Sequence, residues 1–524
     1  MAVSRRKILQ GAMVAAGTLP LFGCERATTE MTKWLGEDIP AKSGVAESKN
    51  IDRNFHLLSR ATYGVRPGDL DRIKSMGVSA WLDEQLHPER IDDRACELRA
   101  RRFETIHLEP GECFEYKRPV LRDELSRHAL IRAIYSKRQL YEVMVGFWSD
   151  HLNIDINKGD AIYAKAKDDR KVVRPNALGK FRDLIAASAT SAAMLIYLDG
   201  KENRRPTPQS IPNENYGREL LELHTMGVDG GYTQKDVYEV ARCLTGWNIH
   251  TPWQRGKVYF DATQHDDGAK TVLGHKIAAG GGEKDLQSVL NIVCTHPSTA
   301  KHIATKLVRH FVCEDPPQKL VAEMAKTFTK TDGDIKSLLT CLFNSDEFYD
   351  HAGAKIKRPF HFIASSLRSL SADTYAHQNL TEYLNRMGQS TFQYPTPDGY
   401  PDTGARWTST MLWRWNFALS VCCNSVPDVT TDLPKLATAI GAIPAPDKTE
   451  KIDIDNLFAH FVGRQATAAE LDALKDYLAS SSSGAKSGKT AGNKAGKNEA
   501  KGPSAAQKQE LVGLILASPA FQRC

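Results

Sequence analysis

Apolar residues recur three and four positions apart over nearly the whole chain from Asn54 onward, and this spacing constrains the fold more than any other feature. It runs through 119–136, 138–152, 178–189, 213–226, 234–246, 298–312, 317–329, 333–345, 357–370, 405–422, 453–463, 468–479 and 508–518. Residues repeating at that interval share one face of an α-helix, so each segment offers an apolar stripe that must pack against another. The alternation that a half-buried strand needs is scarce. Val258–Phe260 and Thr271–Leu273 suggest one small hairpin. The spacing therefore predicts a mostly α, multi-helix globular body with at most a small β-hairpin. Local punctuation agrees: Thr233-Gln234-Lys235-Asp236 reads as a capping box with Asp in place of Glu, and Gly227 and Gly230-Gly231 stop the helix before it.

Five segments follow along the chain: an export signal over 1–24, a polar tether over 25–52, the helical body over 53–479, a Ser/Gly/Ala/Lys insertion over 480–505, and a helix over 506–524 that returns to the body. A weak internal repeat runs through the body. Leu307–Phe348 and Leu457–Phe521 share an outline of helix, second helix and a closing Leu/Ser/Phe pattern, and Phe55–His87 has the same opening.

The N-terminus reads as an address. Arg5, Arg6 and Lys7 precede a short apolar run from Gly11 to Phe22, a secretory pattern resembling a twin-arginine signal. Leu21-Phe22-Gly23-Cys24 resembles a lipobox, so the signal is either lipidated at Cys24 or simply cleaved, and both outcomes place the protein in the periplasm or at the cell surface. No apolar run reaches the roughly 18 residues of a spanning helix, so a multi-span membrane protein is excluded and any membrane contact falls to the signal or lipid anchor. The net charge of +6 is carried by the N-terminal cluster and by the lysines between 481 and 510. The body has no basic excess, which argues against a nucleic-acid partner. The cysteines show no C-x-x-C or zinc-type spacing. Cys96 with Cys113 is the shortest-loop candidate for a disulfide, while Cys243, Cys294 and Cys341 fall in helical apolar patterns as buried thiols.

Polar residues gather in three places. On a helix through Asn213–His224, Glu214, Arg218 and Glu222 fall at successive i+4 steps, flanked by Asn215 and Glu219. This is either a surface ion-pair ladder or a pair of carboxylates, Glu219 and Glu222, facing a polar cavity, where they would ligate a metal or divide acid and base roles. His224 lies on the opposite, apolar side, so one regular helix cannot bring it to Glu222. The second concentration is Phe147-Trp148-Ser149-Asp150-His151, where His151 shares a stripe with Leu140, Val143, Met144 and Phe147. A buried histidine there is either a hydrogen-bonded core residue or a metal ligand with Asp150 nearby. The third is His265-Asp266-Asp267-Gly268, a turn with an Asx cap or a loop carrying His265 over a cavity. A rigid aromatic loop, Tyr394–Pro401, is either a contacting wall or a brace. No glycine-rich phosphate loop and no G-x-S-x-G elbow is present, which disfavours nucleotide-driven and α/β-type serine hydrolase chemistry.

Several wordings taken together, HLLSRATYG, FWSDHLNI, NENYGRELLELHTMGVDGGYTQKDVYEVARCLTGW, HDDGAKTVLGH, HPSTAKHIATKLVRHFVCEDPP, the DGYP loop and the terminal LILASPAFQR, resemble the bacterial domain of unknown function 1800 (DUF1800) from about residue 53 to 523. The resemblance implies an exported, mostly helical protein whose relatives are often encoded beside an exported sulfatase-like protein. It implies no activity. Two expectations follow. One is a metal-dependent enzyme acting on a cell-envelope or extracellular substrate, with a divalent metal held by Asp150, His151, Glu222 and His265, and with Glu219, Glu222 and His224 catalytic. The other is a non-enzymatic scaffold for the sulfatase-like neighbour.

Overall fold

The structure, a computed structural model, describes residues 24–205, 207, 209–251, 255–443, 452–483 and 503–524. The expected helices form, with ends set by local chemistry. Pro297–Phe311 opens on Pro297, capped by the His296 side chain, which accepts from Ser298 N at 3.2 Å; Ala300, Ile303, Ala304, Leu307, Val308 and Phe311 make its buried face. Gln139–His151 buries Leu140, Met144 and Trp148, and the indole of Trp148 donates to Ala177 O at 3.0 Å. The Thr233 capping box forms as read, with Thr233 N donating to Asp236 Oδ2 at 2.9 Å. The segment before it is an α-turn, Asn215–Glu219, that widens into π-helix over Leu220–Thr225; Met226 N donates to Leu221 O, five residues back, and Gly227 at φ 85° ends the run.

The β content exceeds the single hairpin expected: the described residues hold three two-stranded sheets. Val258–Phe260 and the 270s segment do not pair with each other. Val258–Phe260 pairs antiparallel with Trp247–Ile249, and Lys270–Val272 with His275–Ile277. Each finds a partner nearer in sequence. The second hairpin closes on Leu273-Gly274, both at positive φ, which suits the right-handed twist of the strands. The third sheet joins Asp373–Thr374 to Val429–Thr430.

The helices bury two hydrophobic clusters. One gathers Phe55, Trp148, Phe181, Leu307, Phe311 and Phe348; the other gathers Phe103, Phe362, Phe417, Phe461, Ile515 and Phe521. The two repeat-like units thus fall in different clusters. Tyr63 packs against both and marks the seam between them. Each buried phenylalanine contributes roughly 1.5–3 kcal/mol relative to exposure.

Residues 25–52, read from their polarity as a tether, are bound to the body. Their polar groups join a buried network: the Arg99 guanidinium donates to Glu37 Oε2 at 2.8 Å, to Thr32 Oγ1 at 2.9 Å and to Asp373 Oδ1 at 2.8 Å. Ser43 N also donates to Ala439 O at 2.8 Å. The expected export signal over 1–24 lies, apart from Cys24, outside the described residues. Cys24, the candidate lipidation site, opens the first described helix, Cys24–Thr32. Residues 484–502 of the insertion are likewise outside. The helix before it continues to Ser483, and Ala505–Ala517, opened by a Ser504–Gln507 capping box, returns to the second cluster. Cys96 and Cys113 are separate buried thiols, not a disulfide. Among the described residues no helix is long and apolar enough to cross a membrane.

Candidate functional site

A cavity of about 140 Å³ lies at the seam. Its walls come from several stretches, with Arg60, Tyr63, Glu142, Arg174 and His361 among the lining residues. The last turn of Gln139–His151 supplies Phe147, Ser149 and Asp150. The Pro297–Phe311 helix supplies His310, and the strand-like segment before Pro359 supplies Lys355 and Arg358. The loop between Gln389 and Asp402 closes it. Lys355 is held in place by the chain end: Cys524 N donates to Lys355 O at 2.9 Å, and Lys357 N to Gln522 O at 2.8 Å.

Arg358 is the hub. Its guanidinium bonds Asp150, sits 2.8 Å from Asp402 Oδ1 and donates to Tyr400 O at 3.0 Å. Asp402 is shared further: Lys355 Nζ lies 3.7 Å from Oδ1, and His310 Nδ1 lies 3.6 Å from Oδ2. The aromatic loop is clamped against the same turn. Asn153 Nδ2 donates to Tyr394 O and Thr396 O at 2.9 and 2.8 Å, Tyr197 Oη donates to Pro395 O at 2.9 Å, and Tyr400 N donates to Asp150 Oδ1 at 3.3 Å. Gly399, at φ 76°, lets the loop backbone touch Asp150: a Cβ there would stand 2.2 Å from Asp150 O. The loop is therefore a brace that also forms a wall.

Burial and charge set the protonation states. Burial pushes the Asp402 carboxyl up, but Arg358, His310 and Lys355 outweigh it and hold the group well below the usual carboxylate range. Burial lowers His310 despite the neighbouring Asp402, and burial with the nearby Lys357 holds His361 well below its ordinary value. Five buried polar side-chain atoms on the cavity lining find no hydrogen-bond partner on the described protein: Ser149 Oγ, His310 Nδ1, Arg358 Nε, His361 Nε2 and Thr391 Oγ1. A carboxylate–imidazole pair beside a guanidinium can accept a proton, stabilise the resulting imidazolium and offset developing negative charge.

The structure places the expected residues unevenly. Asp150 is in the site, engaged with Arg358. His151, 1% exposed, donates from Nε2 to His224 O at 3.0 Å and lines a neighbouring chamber. His224 is buried and lowered to about 3 by burial, then by Lys306 and His302. The Glu214–Arg218 rung of the ladder forms at 3.1 Å, while Glu222 accepts from Tyr232 Oη at 3.4 Å. Glu219 is raised by burial and then by Glu222. His265 is elsewhere: its Nδ1 is 2.9 Å from Thr245 O, and its Nε2 is 3.2 Å from Asp285 Oδ2. Asp266 caps Gly268 N at 3.0 Å and pairs with Arg242, so that loop is a turn fixed by ion pairs. Asp150, His151, Glu222 and His265 thus do not meet as one ligand set, because each is engaged by different neighbours. Among the described residues no group of three or more His, Cys, Asp or Glu is placed to hold a metal ion.

The sequence reading missed Arg358, Asp402, His310, His361 and Lys306. One signal was available. His302, Lys306 and His310 stand four residues apart on an otherwise amphipathic helix, a polar stripe facing inward. Arg358 and Asp402 carried no local signal.

No curated protein and no solved structure matches this chain. A family model, described as a protein of unknown function (DUF1800), matches residues 56–523, a span that contains every wall of the cavity. By that match, the chain belongs to the DUF1800 family.

Proposed function

We propose that this protein is an exported enzyme that performs acid–base catalysis in the seam cavity. The observation that carries the reading is the convergence of Ser149, His310, Arg358, His361 and Thr391, each with an unpartnered buried polar atom, with Asp402 Oδ2 3.6 Å from His310 Nδ1. Leaving such an atom without a partner costs about 1–3 kcal/mol, and groups of this kind collect where a ligand supplies the missing bonds. His310 takes the proton on Nε2, and Asp402, beside Nδ1, stabilises the imidazolium. Arg358 and Lys355 offset negative charge that develops on the substrate. A chamber of about 140 Å³ has room for a functional group or a small ring, not a polymer segment. The Arg5-Arg6 signal and the lipobox-like Cys24 support the periplasm or cell surface as the location, and a cell-envelope or extracellular compound as the substrate.

Incubating the full chain with envelope extract, followed by mass spectrometry, tests the proposal. Wild type should deplete a compound at a rate roughly 10²–10⁴ times that of a folded His310→Asn variant. Identical profiles for the two proteins would defeat it.

A further inference from the structure

Beyond the Asp150–Arg358–Asp402 ion pairs lies a second chamber of about 220 Å³, walled by His151, His302, Lys306, Arg309 and the Asp398–Pro401 loop. Two of its acids are engaged: Asp150 with Arg358, and Asp402 with Arg358 and Lys355. Two of its cations have unused donors. Lys306 makes no hydrogen bond or ion pair with the described residues, though Asp150 and Asp402 lie within its field. Arg309 uses only Nε, which donates to Glu314 O at 3.2 Å. Lys306 stands one turn after His302 and one turn before His310, so the Pro297–Phe311 helix holds its ammonium between the two chambers.

We propose that this second chamber is an anion subsite, in which Lys306 and Arg309 bind a carboxylate of the substrate whose reacting group occupies the seam cavity. Lys306 is half-buried and its ammonium has no acceptor among the described residues, and an oxyanion in the chamber supplies one. The chamber favours a monoanion. Its two available cations face one further acid, the exposed Asp398, so one positive charge is left for the ligand to balance. A carboxylate meets that requirement, whereas a dianion overshoots it. The inference rests on the catalytic reading of the neighbouring cavity, but its test involves no turnover, so loss of anion binding and failure of the His310→Asn comparison are read separately.

The probe is trifluoroacetate, titrated into the full chain at pH 7 and constant ionic strength and followed by fluorine NMR line broadening. Saturable broadening is expected, displaced by acetate ahead of sulfate. Lys306→Met should weaken it at least tenfold and Arg309→Met severalfold, while Lys284→Met, an exposed lysine elsewhere, should leave it unchanged. Arg309→Met carries the test if Lys306→Met does not fold. Broadening that fails to saturate, or that survives both variants, overturns the subsite. Displacement by sulfate ahead of acetate overturns the carboxylate assignment.

Discussion

Arg358→Met is the sharpest probe of the seam. The guanidinium stands between Asp150 and Asp402, with side chains 16%, 22% and 17% exposed, so solvent screens the three charges only in part. Methionine fills much the same length, which keeps the packing loss small. What remains is two carboxylates with only Lys355 at 3.7 Å and His310 at 3.6 Å from Asp402. Removing one partner of a buried pair costs about 3–5 kcal/mol, against about 0–1 kcal/mol for an exposed one. Equilibrium urea unfolding at pH 7 measures the difference. Charge, not shape, is the expected cause, so Asp150→Asn in the Arg358→Met background should recover a substantial part of the loss. The deficit should also shrink on acidification. Without Arg358 the Asp402 carboxyl titrates higher in the folded variant than in wild type, so the variant gains stability relative to wild type as falling pH protonates it. A cost under about 1 kcal/mol with no coupling to Asp150 would refute the claim that Arg358 organises this site.

Acid should destabilise the protein steeply. Burial holds His56 and His302 to about 4 and His224 to about 3, below the ordinary 6.5, so between pH 6.5 and 4 the unfolded chain takes up protons that the folded chain refuses. Each such group costs about 1.4 kcal/mol per pH unit. Asp93, raised to about 6 by burial, acts in the opposite sense and offsets one of them. His128, His151 and His361, held well below their ordinary value by burial, add to the loss, so at least about 3 kcal/mol per pH unit near pH 5 is expected in urea unfolding, and a flat profile from 6.5 to 5 would contradict it. Gly399→Ala should cost about 2 kcal/mol or more, because alanine is strained at φ 76° and its Cβ would meet Asp150 O at 2.2 Å. Wild-type stability together with wild-type trifluoroacetate broadening would show that the loop does not depend on this close approach.

Helices, caps and stops were legible in the sequence because they are local. The stripe Leu140, Val143, Met144, Phe147 and His151 needs only a helical period to line up, and the Thr233–Asp236 box needs only its own turn. Other features were settled by groups distant in the chain. The polar 25–52 segment is bound because Arg99 and Asp373 meet Glu37 and Thr32 in space. His265 turned from candidate ligand to structural residue because Asp285 takes its Nε2. The site itself joins Asp150, His310, Arg358 and Asp402, which lie on separate segments and have no common spacing. Periodicity tells which face of a helix is buried. Which charge stands opposite which is decided only when two hydrophobic clusters close on each other and the polar groups caught at the seam must find partners or be left without them.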